Sequence, residues 1–498
     1  MHLHGQAGTL DNNFGGDGIV TTEIGGEAHG NAIVVQTNGR IVVAGSGTSG
    51  TSEFAAVRYL PDGTLDGTFS ADGIATLGLT GFDEANALVV QPDGKILMAG
   101  YITLSSSQEM AVMRLDATGL PDPGFGLNGI VFTSFDGLIP THAYGNDMAL
   151  QPDGRILVCG TTGAGNAGDI AVARFEQNGT LDDSFSFDGK VILDINGYSD
   201  ESHAIAIQPD GKILVAGATS IDGQRDAVVV RLLENGSTDP SFGNNGALTL
   251  SISTTLDDIV QAIAVQPDSR IILAGNSGPD GMAVRLLSIG SLDASFNGSG
   301  IFVNTLLFAT NSEQDVRLQP DGKILLGGSL QFSGEQSTMG LLRLLSTGQI
   351  DASFGNSGGV QLDISNGHDH LGSVALQSDN RIMVCGSGYG DGSMIVARLL
   401  NDVGIGIPEA DPSLHECRLF PNPATDQVQL HYALTSSSNV TCLIRESSGR
   451  VMHTPLNQAA RPAGTHTLTM NLEGLSAGAY VVELRSEQGI SHHSLIRR

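Results

Sequence analysis

The sequence contains no tryptophan, and its 24 lysine and arginine residues are outnumbered by 53 aspartates and glutamates. The net charge of -29 gives a surface that repels nucleic acid and anionic lipid, so neither is expected as a partner. No apolar run reaches the ~18 residues that a membrane-spanning helix needs. The first residues, Met1 to Gly5, lack the basic and apolar segments of a signal peptide. If the protein is exported, we expect its leader to have been removed or to lie upstream.

Cysteine is also scarce, because four residues are too few for a disulfide scaffold. Cys159 and Cys385 each follow an Arg-Ile-x-Val phrase, at a point where related segments place alanine or glycine. We therefore expect both to be small core residues. A disulfide between Cys417 and Cys442, which lie near the C-terminus, is left open by the sequence.

Seven copies of one phrase dominate the chain. The phrase lies between two apolar runs, and successive copies are 53 to 60 residues apart. A repeat of this length with several short β runs is typical of a β-propeller or another repeat array. The phrase, Gln-Pro-Asp-Gly-Lys or a close variant, begins at Gln36, Gln91, Gln151, Gln208, Gln266, Gln319 and Gln377.

The second copy illustrates the content of one unit. Ala85 to Val90 and Lys95 to Ala99 read as a hairpin joined by Pro-Asp-Gly, in which proline presets one corner and glycine takes a positive φ. Asn380 and Ser269 replace that glycine in two copies. A third strand at residues 111–115 carries an arginine, and a Leu-Asp-x-x-Phe phrase and a fourth β run follow it. Four strands per unit correspond to one propeller blade.

The two ends of the repeat array complement each other. The chain begins with Leu10-Asp11-Asn12-Asn13-Phe14 and a fourth-strand run, Gly18 to Glu23, whereas the seventh unit stops after its third strand near Leu400. We predict that the N-terminal run supplies the outer strand of the seventh blade. This closure would join the ends of the ring and remove its open edge.

These phrases resemble delta-60 repeats, a bacterial propeller repeat. Their layout is also similar to that of NHL-type blades, in which the strand before the Pro-Asp-Gly turn is innermost. The resemblance covers roughly residues 10–400 and implies an all-β, seven-bladed β-propeller with four-stranded blades, without implying a particular activity. We assign residues 1–401 to the propeller and residues 402–415, which contain prolines and glycines, to a linker.

The last segment, residues 416–498, has short alternating strands that predict a small Ig-like β-sandwich. Its phrases resemble, in order, the type A C-terminal sorting domain of the type IX secretion system. The resemblance implies export through the outer membrane of a Bacteroidota-type cell, contact with the type IX secretion machinery, and release or surface attachment of the propeller. The motif residues are Pro421, Asn422, Pro423, Gly449, Gly478 and Tyr480, with a basic end at Arg497 and Arg498.

Two motifs suggest chemistry that their surroundings do not support. Gly474 to Gly478 spells Gly-x-Ser-x-Gly, but a nucleophile elbow needs a parallel strand and a helix beside it. His368-Asp369-His370 could present two imidazoles to a metal, yet no third ligand lies at a suitable spacing, so we expect a solvated loop. No cofactor is indicated, and calcium at an Asp-Gly turn is left open.

An arginine and an acid recur in every unit, as in Arg58 and Asp66. The pair could bind an anion. Because all units have the set, we expect each arginine instead to pair with an acid or with backbone carbonyls and to fix the turn of its own blade.

Polar residues recur five positions before the glutamine of each repeat, and acids lie beside them. If these strands are innermost, the residues form an acidic rim at one mouth of the channel, which suits a cation or a basic or hydroxyl-rich ligand better than an anion. The alternative is that they cap strand ends in water. The predicted ligand-binding rim consists of Asn31, Asn86, Asn146, His203, Gln261 and Gln314, with Glu84, Glu201 and Asp258 beside them.

These features favour a secreted or surface-attached, non-enzymatic binding or adhesion module with a protein, peptide or glycan as its extracellular ligand. The lack of tryptophan and the presence of only seven tyrosines disfavour a glycan. An extracellular hydrolase or lyase is an alternative, and it would need histidine or paired carboxylates from several blades at the channel mouth. A passive structural domain of the cell surface is a third possibility.

Overall fold

The computed structural model is all-β, and its described residues contain no α-helix. Accordingly, no helix in the described part of the chain has the length and apolar character needed to cross a membrane. Contacts divide the chain into two compact units, Met1–Asn401 and Asp402–Arg498. The residues described are 6–48, 51–78, 81–104, 107–135, 142–164, 167–195, 197–221, 223–309, 315–331, 336–390, 392–402, 418–420, 424–434, 436–446, 451–476, 478–486 and 489–497.

The first unit consists of seven four-stranded antiparallel sheets, which are the blades. Blades 1 to 6 each take four successive strands in sequence order, and they begin with β2, β6, β10, β14, β18 and β22. The strands are β1 (Ile19–Thr22), β2 (Ala28–Val35), β3 (Ile41–Thr48), β4 (Ser52–Tyr59), β5 (Ile74–Leu77), β6 (Glu84–Val90), β7 (Ile96–Leu104), β8 (Ser107–Leu115), β9 (Ile130–Thr133), β10 (His142–Leu150), β11 (Ile156–Ala164), β12 (Ala167–Phe175), β13 (Lys190–Leu193), β14 (Asp200–Ile207), β15 (Ile213–Ile221), β16 (Gln224–Leu232), β17 (Ala247–Leu250), β18 (Asp258–Val265), β19 (Ile271–Ser277), β20 (Asp280–Leu286), β21 (Ile301–Ala309), β22 (Asp315–Leu318), β23 (Ile324–Leu330), β24 (Thr338–Leu344), β25 (Gly359–Leu362), β26 (Asp369–Leu376), β27 (Ile382–Gly388) and β28 (Ser393–Leu399).

The seventh blade combines the two ends of the repeat array. Its sheet has the order β1-β28-β27-β26, so the N-terminal strand is its outer strand. Ile19 pairs with Ala397, and the backbone N–H of Asp11 donates to the carbonyl of Arg398 at 2.8 Å. The first strand of blade 1 packs against β26 and β27 of this blade. The repeat array is thus joined end to end.

The Pro-Asp-Gly turn forms as the sequence predicts. Between β6 and β7, the N–H of Gly94 donates to the carbonyl of Gln91 at 2.9 Å, and Asp93 Oδ1 accepts the N–H of Lys95 at 3.2 Å. Gly94 has a φ of 86°, which costs glycine little because it has no Cβ. Ser269 and Asn380 take φ values of 67° and 68° at the same place in their blades. The turn geometry is therefore kept where the glycine is replaced.

The apolar core lies between neighbouring blades rather than within a single sheet. One buried cluster, for example, joins Val42 and Phe54 of blade 1 to Met98 and Met113 of blade 2. Alternate residues of each central strand face opposite neighbours, and each neighbour covers one face of the sheet. This packing explains why the second and third strands of the blades are buried along most of their length.

The second unit contains two antiparallel sheets, with strand orders β29-β30-β33 and β32-β31-β34-β35. Residues from both sheets, including Val428, Leu430, Ile444 and Val482, share one buried cluster, which makes the unit a small β-sandwich. Its strands are β29 (Arg418–Phe420), β30 (Gln427–Leu434), β31 (Ser438–Glu446), β32 (Val451–Arg461), β33 (Gly464–Asn471), β34 (Gly478–Ser486) and β35 (Gly489–Arg497).

Candidate site at the channel mouth

The first strand of each blade lies nearest the axis of the ring, since these strands pack against one another from blade to blade. They enclose two connected spaces. The outer space, which we call the mouth cavity, has a volume of about 1160 Å³, and a narrower inner cavity of about 170 Å³ follows it. The residues that line both spaces define the neck between them: Asn31, Asn86, Gln261 and Gly372.

The neck residues stand at β-bulges of the innermost strands. The pairing of β2 with β3 skips Asn31, and the same interruption occurs at Asn86, Asn146, His203, Gln261 and Gly372. A bulge leaves one residue unpaired and re-aims its side chain. The position five before each glutamine therefore faces the channel because of backbone geometry. Gln314, the corresponding residue of blade 6, lies outside the described residues.

Three channel-lining asparagines each connect one blade to the next. Asn31 Nδ2 donates to the carbonyl of Ala85 at 2.9 Å, and Asn86 Nδ2 donates to the carbonyl of Gly145 at 2.9 Å. Asn146 Nδ2 continues the series by donating to the carbonyl of Ser202 at 2.7 Å. These amides therefore satisfy backbone carbonyls beside the bulges of the neighbouring strand. They hold the channel together and also line it.

Glu84 lies in the mouth cavity and accepts two hydrogen bonds there. Asn31 Nδ2 donates to its Oε1 and the hydroxyl of Tyr101 donates to its Oε2, both at 3.0 Å. Burial and the neighbouring Glu84 carboxylate raise the pKa of Tyr101. Tyr101 therefore keeps its proton and donates a hydrogen bond to Glu84.

A charged group that the sequence pattern did not indicate lies on another side of the mouth. Arg225 Nη1 donates to Glu201 Oε1 at 3.0 Å, and its Nε donates to Asp257 Oδ2 at 3.0 Å. His203 Nε2 lies 3.6 Å from the same Glu201 oxygen. The nearby His203 imidazole and the charge of Arg225 lower the pKa of Glu201. The arginine thus offsets part of the acidity predicted for the rim.

Asp258 does not belong to the accessible rim, and the prediction was wrong for this residue. Its side chain is fully buried, and its Oδ2 accepts the backbone N–H groups of Ile252 and Ser253 at 2.6 and 2.9 Å. Its neighbour Asp257 lines the mouth instead. The number of residues between each acid and the glutamine of its repeat distinguishes the buried acids from those at the rim. Asp258 stands eight residues before Gln266, like the buried Asp83, Asp200 and Asp369 in their repeats, whereas Glu84 and Glu201 stand seven before.

Three aromatic side chains, Phe82, Tyr101 and Tyr389, line the mouth. Phe82 and Tyr389 line it with exposed fractions of 67% and 58%. The ring of Tyr389 lies 4.9 Å from that of His370 and 5.3 Å from that of His29. Tyr101 also lines the mouth cavity. Two of the seven tyrosines thus line one cavity, and Tyr144 packs edge-on against Tyr101 at 5.2 Å.

The segment His368-Asp369-His370 is only partly the solvated loop that we expected. His368 is exposed, but Asp369 begins the innermost strand β26 and is fully buried, and its Oδ2 accepts the N–H of Ile364 at 2.6 Å. His370 lines the mouth, where burial and the nearby His368 and His29 lower its pKa. Both imidazoles contact Ser337 Oγ, at 3.1 and 3.4 Å. The segment is therefore a structured part of the mouth.

One carboxyl group of the inner cavity titrates near neutral pH. Burial raises the pKa of Asp147 to about 7, against hydrogen bonds from the N–H groups of Ile205 and Met148. Asp147 Oδ2 accepts the first of these from the next blade at 2.9 Å. Asp315 is related to it three blades away and accepts the N–H of Val374 at 2.8 Å. Both aspartates thus connect neighbouring blades.

The recurrent arginines are structural, as the sequence predicts, but they act beyond their own blade. Arg174 Nε donates to Asp182 Oδ2 at 2.7 Å, and its guanidinium carbon lies 4.5 Å from the centre of the Phe185 ring. Its Nη1 donates to the backbone carbonyl of Glu234 in the next blade. The pair with the acid and the stacking recur at Arg58, Arg114, Arg231, Arg285, Arg343 and Arg398.

The motif residues of the sorting segment are described only in part. Tyr480 is buried and its hydroxyl donates to the carbonyl of Ser476 at 2.8 Å, while Gly478 begins β34 with a φ of 157°. Ser476 precedes an antiparallel strand, and the described residues have no helix beside it. Pro421, Asn422, Pro423 and Gly449 lie outside the described residues.

The cysteines agree with their expected roles where the structure describes them. Cys159 and Cys385 are free, fully buried and located in different blades, as the sequence predicts. Cys442 is buried in the sandwich, and Cys417 lies outside the described residues.

Two protein families match the sequence. The family described as "Domain of unknown function (DUF5122) beta-propeller" matches residues 36–69, 91–125, 151–185, 208–242, 266–296 and 319–354. The secretion system C-terminal sorting domain matches residues 418–497. This domain marks its carrier for export by type IX secretion to the cell surface or the medium. No curated protein matches the sequence.

Several solved structures are similar to the chain over the propeller. A polysaccharide lyase of family PL25, an ulvan lyase, is 12% identical with a TM-score of 0.43, covering 76% of this chain and 95% of its own. Sqt1 from Chaetomium thermophilum is 13% identical with a TM-score of 0.41, covering 77% and 97%. Regucalcin from Agrobacterium tumefaciens, a calcium-binding protein, is 15% identical with a TM-score of 0.34, covering 63% and 90%. Similarity at this level carries no argument about activity or ligand.

Proposed function

The chain is a β-propeller protein of DUF5122 repeats with a secretion system C-terminal sorting domain, and from this premise we propose that it is an exported, non-enzymatic binding module. Its ligand is a hydroxyl-rich molecule, a saccharide chain, held in the mouth cavity. The observation that carries the proposal is the presence of exposed aromatic faces and fixed hydrogen-bonding groups in one cavity.

The lining of the mouth supports a saccharide over a charged polymer. Exposed rings such as Phe82 and Tyr389 offer apolar faces to the C–H faces of a sugar, and Glu84 offers carboxylate oxygens to its hydroxyls. Arg225 balances Glu201 and Asp257, so the lining carries both signs of charge. A few polar groups that fix orientation beside aromatic surface are typical of small-molecule sites. The absence of tryptophan and the small number of tyrosines weigh less than the sequence suggested, because three aromatic side chains line the same cavity.

The enzymatic alternative depends on Asp147, whose pKa of about 7 would suit a general acid or base. However, both of its oxygens accept backbone N–H groups, Oδ1 from Met148 and Oδ2 from Ile205. It also lines the inner cavity of about 170 Å³ rather than the mouth. We therefore assign Asp147 a role in connecting blades and propose capture without turnover.

The test uses the full chain, immobilised and exposed to neutral, uronate-containing and sulfated polysaccharides and to a random peptide library. We expect retention of one polysaccharide class, with no change in its chain length after prolonged incubation. Shortened chains or new unsaturated ends would overturn the non-enzymatic assignment. Retention of peptides alone would overturn the saccharide assignment.

Matched variants locate the binding site. Phe82→Ala and Tyr389→Ala remove exposed rings from the mouth and should each weaken retention about tenfold, which is ~1.4 kcal/mol of binding free energy. Phe187→Ala is the control, because Phe187 is 96% exposed and does not line the mouth. If all three variants bind like the parent chain, the mouth is not the site.

A further inference from the structure

Three carboxylates meet at the junction of blades 3 and 4, away from the mouth lining. Asp169 lies on β12, Asp194 directly follows β13, and Asp200 begins β14. One oxygen from each lies within 4.8 Å of the others. Two oxygens on opposite sides of a calcium ion at about 2.4 Å are separated by about the same distance. The spacing therefore allows all three groups to contact one cation.

Buried polar atoms at this junction lack hydrogen-bond partners. Asp200 is fully buried, and although its Oδ2 accepts the N–H of Ile195 at 2.5 Å, its Oδ1 has no partner. Thr219, which pairs with Asp200 across the β14–β15 ladder, is also fully buried, and its hydroxyl faces the Asp200 carboxyl without a hydrogen bond to any other described group. A buried polar atom without a partner costs free energy that a bound cation recovers.

The charges of the cluster support the same conclusion. Three carboxylates at this separation repel one another unless a proton or a cation is shared among them. A divalent cation removes the repulsion without protonation and links the residues that bind it.

We infer that Asp169, Asp194 and Asp200 bind a divalent cation, calcium by preference, with Thr219 Oγ1 as a further oxygen ligand. Calcium accepts irregular sets of oxygen ligands, and extracellular calcium modules bind with dissociation constants of about 0.1 to 1 mM. The ion joins the third strand of blade 3 to the innermost strand of blade 4. It therefore has a structural role that is independent of ligand capture at the mouth.

Blade 7 provides a natural control for this inference. Its Leu-Asp-Ile loop repeats that of blade 4, with the exposed Asp363 and the buried Asp369 in place of Asp194 and Asp200. At the position of Asp169, however, the preceding blade has Thr338, which pairs with Leu330 as Asp169 pairs with Thr162. Only the blade 3–4 junction forms a three-carboxylate group among the described residues.

The test is calorimetry of the full chain at pH 7.5 after removal of divalent cations with EDTA. Adding 5 mM calcium should raise the Tm of the propeller by about 1–3 °C, and titration should give one site with a Kd near 0.1 to 1 mM. Asp194→Asn changes an exposed ligand, so the variant should fold, bind calcium at least about tenfold more weakly and lose most of the Tm increase. Asp363→Asn should behave like the parent chain.

Two results would overturn the inference. One is an unchanged Tm and no binding heat for the parent chain at 5 mM calcium, which would leave a shared proton as the explanation of the cluster. The other is an equal response of Asp194→Asn and the parent chain, which would put the calcium elsewhere. Neither result bears on saccharide retention, which is measured separately with Phe82 and Tyr389 variants.

Discussion

Replacing Arg174 should destabilise the propeller far more than replacing Arg155, although both arginines contact the same carboxylate. Arg174 Nε lies 2.7 Å from Asp182 Oδ2 and Arg155 Nε lies 3.2 Å from the same atom. Their exposure differs: the side chain of Arg174 is 2% exposed, and that of Arg155 is 28% exposed. The comparison therefore sets a buried arginine with several partners against a partly exposed arginine at one shared carboxylate.

The magnitude follows from the partners that each change removes. Arg174→Met leaves Asp182 with a weaker cation, removes a hydrogen bond to Ser184 Oγ at 3.0 Å and leaves the carbonyl of Glu234 without its donor. Removing one partner of a buried pair costs about 3–5 kcal/mol. Arg155→Met removes a partly exposed contact, which is worth about 1 kcal/mol or less. We therefore expect at least a threefold difference between the two free energies.

Differential scanning calorimetry provides the assay, and we expect separate transitions for the propeller and the sandwich because they are two compact units. Unfolding entropies of about 2.1 cal/mol/K per residue give about 0.8 kcal/mol/K for the roughly 400-residue propeller. The Tm should fall by about 4–6 °C for Arg174→Met and by about 1 °C or less for Arg155→Met. Equal Tm shifts for the two variants, or a Tm decrease below about 1 °C for Arg174→Met, would refute the conclusion that these arginines hold neighbouring blades together.

Two further predictions concern pH and closure of the ring. The pKa of Asp147 is about 7 in the folded protein and near 4 in the unfolded chain, so its protonated carboxyl stabilises the fold fully at pH values below 4. This stabilisation is lost as pH rises through 7. The Tm measured in EDTA should therefore fall between pH 5 and 8. Asp147→Asn should flatten this slope, and an unchanged slope would contradict the assignment. Deleting residues 1–23 removes β1 together with Asp11 and Phe14, which contact Arg398. The deletion should abolish the unfolding transition of the parent propeller. Adding a synthetic peptide of residues 6–24 should restore that transition. Truncation without effect on the Tm would show that β1 is dispensable.

The repeat pattern predicts the fold well because its signals are local. Proline, aspartate and glycine define a hairpin turn whatever the rest of the chain does, and the positive φ of Ser269 and Asn380 shows that the turn outlasts the loss of its glycine. The second and third strands of blade 2 extend further than predicted. β7 runs to Leu104 and β8 begins at Ser107, in stretches where no repeated phrase marks the strands.

The composition of the mouth could not be predicted in the same way. Phe82, Arg225 and Tyr389 lie near strand ends whose sequences differ from blade to blade, so no periodicity singles them out. The error at Asp258 has a different origin. Adjacent residues of a strand point to opposite sides, so Asp257 lines the mouth cavity whereas Asp258, one position later, is buried in the protein interior.

The pairing of β1 with β28 also sets an order of events in time. Ile19 and Ala397 are separated by almost the whole propeller, whereas every other strand pair described in the ring joins neighbours in sequence. Closing a loop that is about six times longer than one repeat costs about 1.6 kcal/mol more in chain entropy. A chain that emerges N-terminus first holds β1 unpaired until its partner strand appears. The sorting domain follows within tens of residues. The ring is therefore completed at nearly the same time as the sorting domain, which is the export signal, becomes exposed.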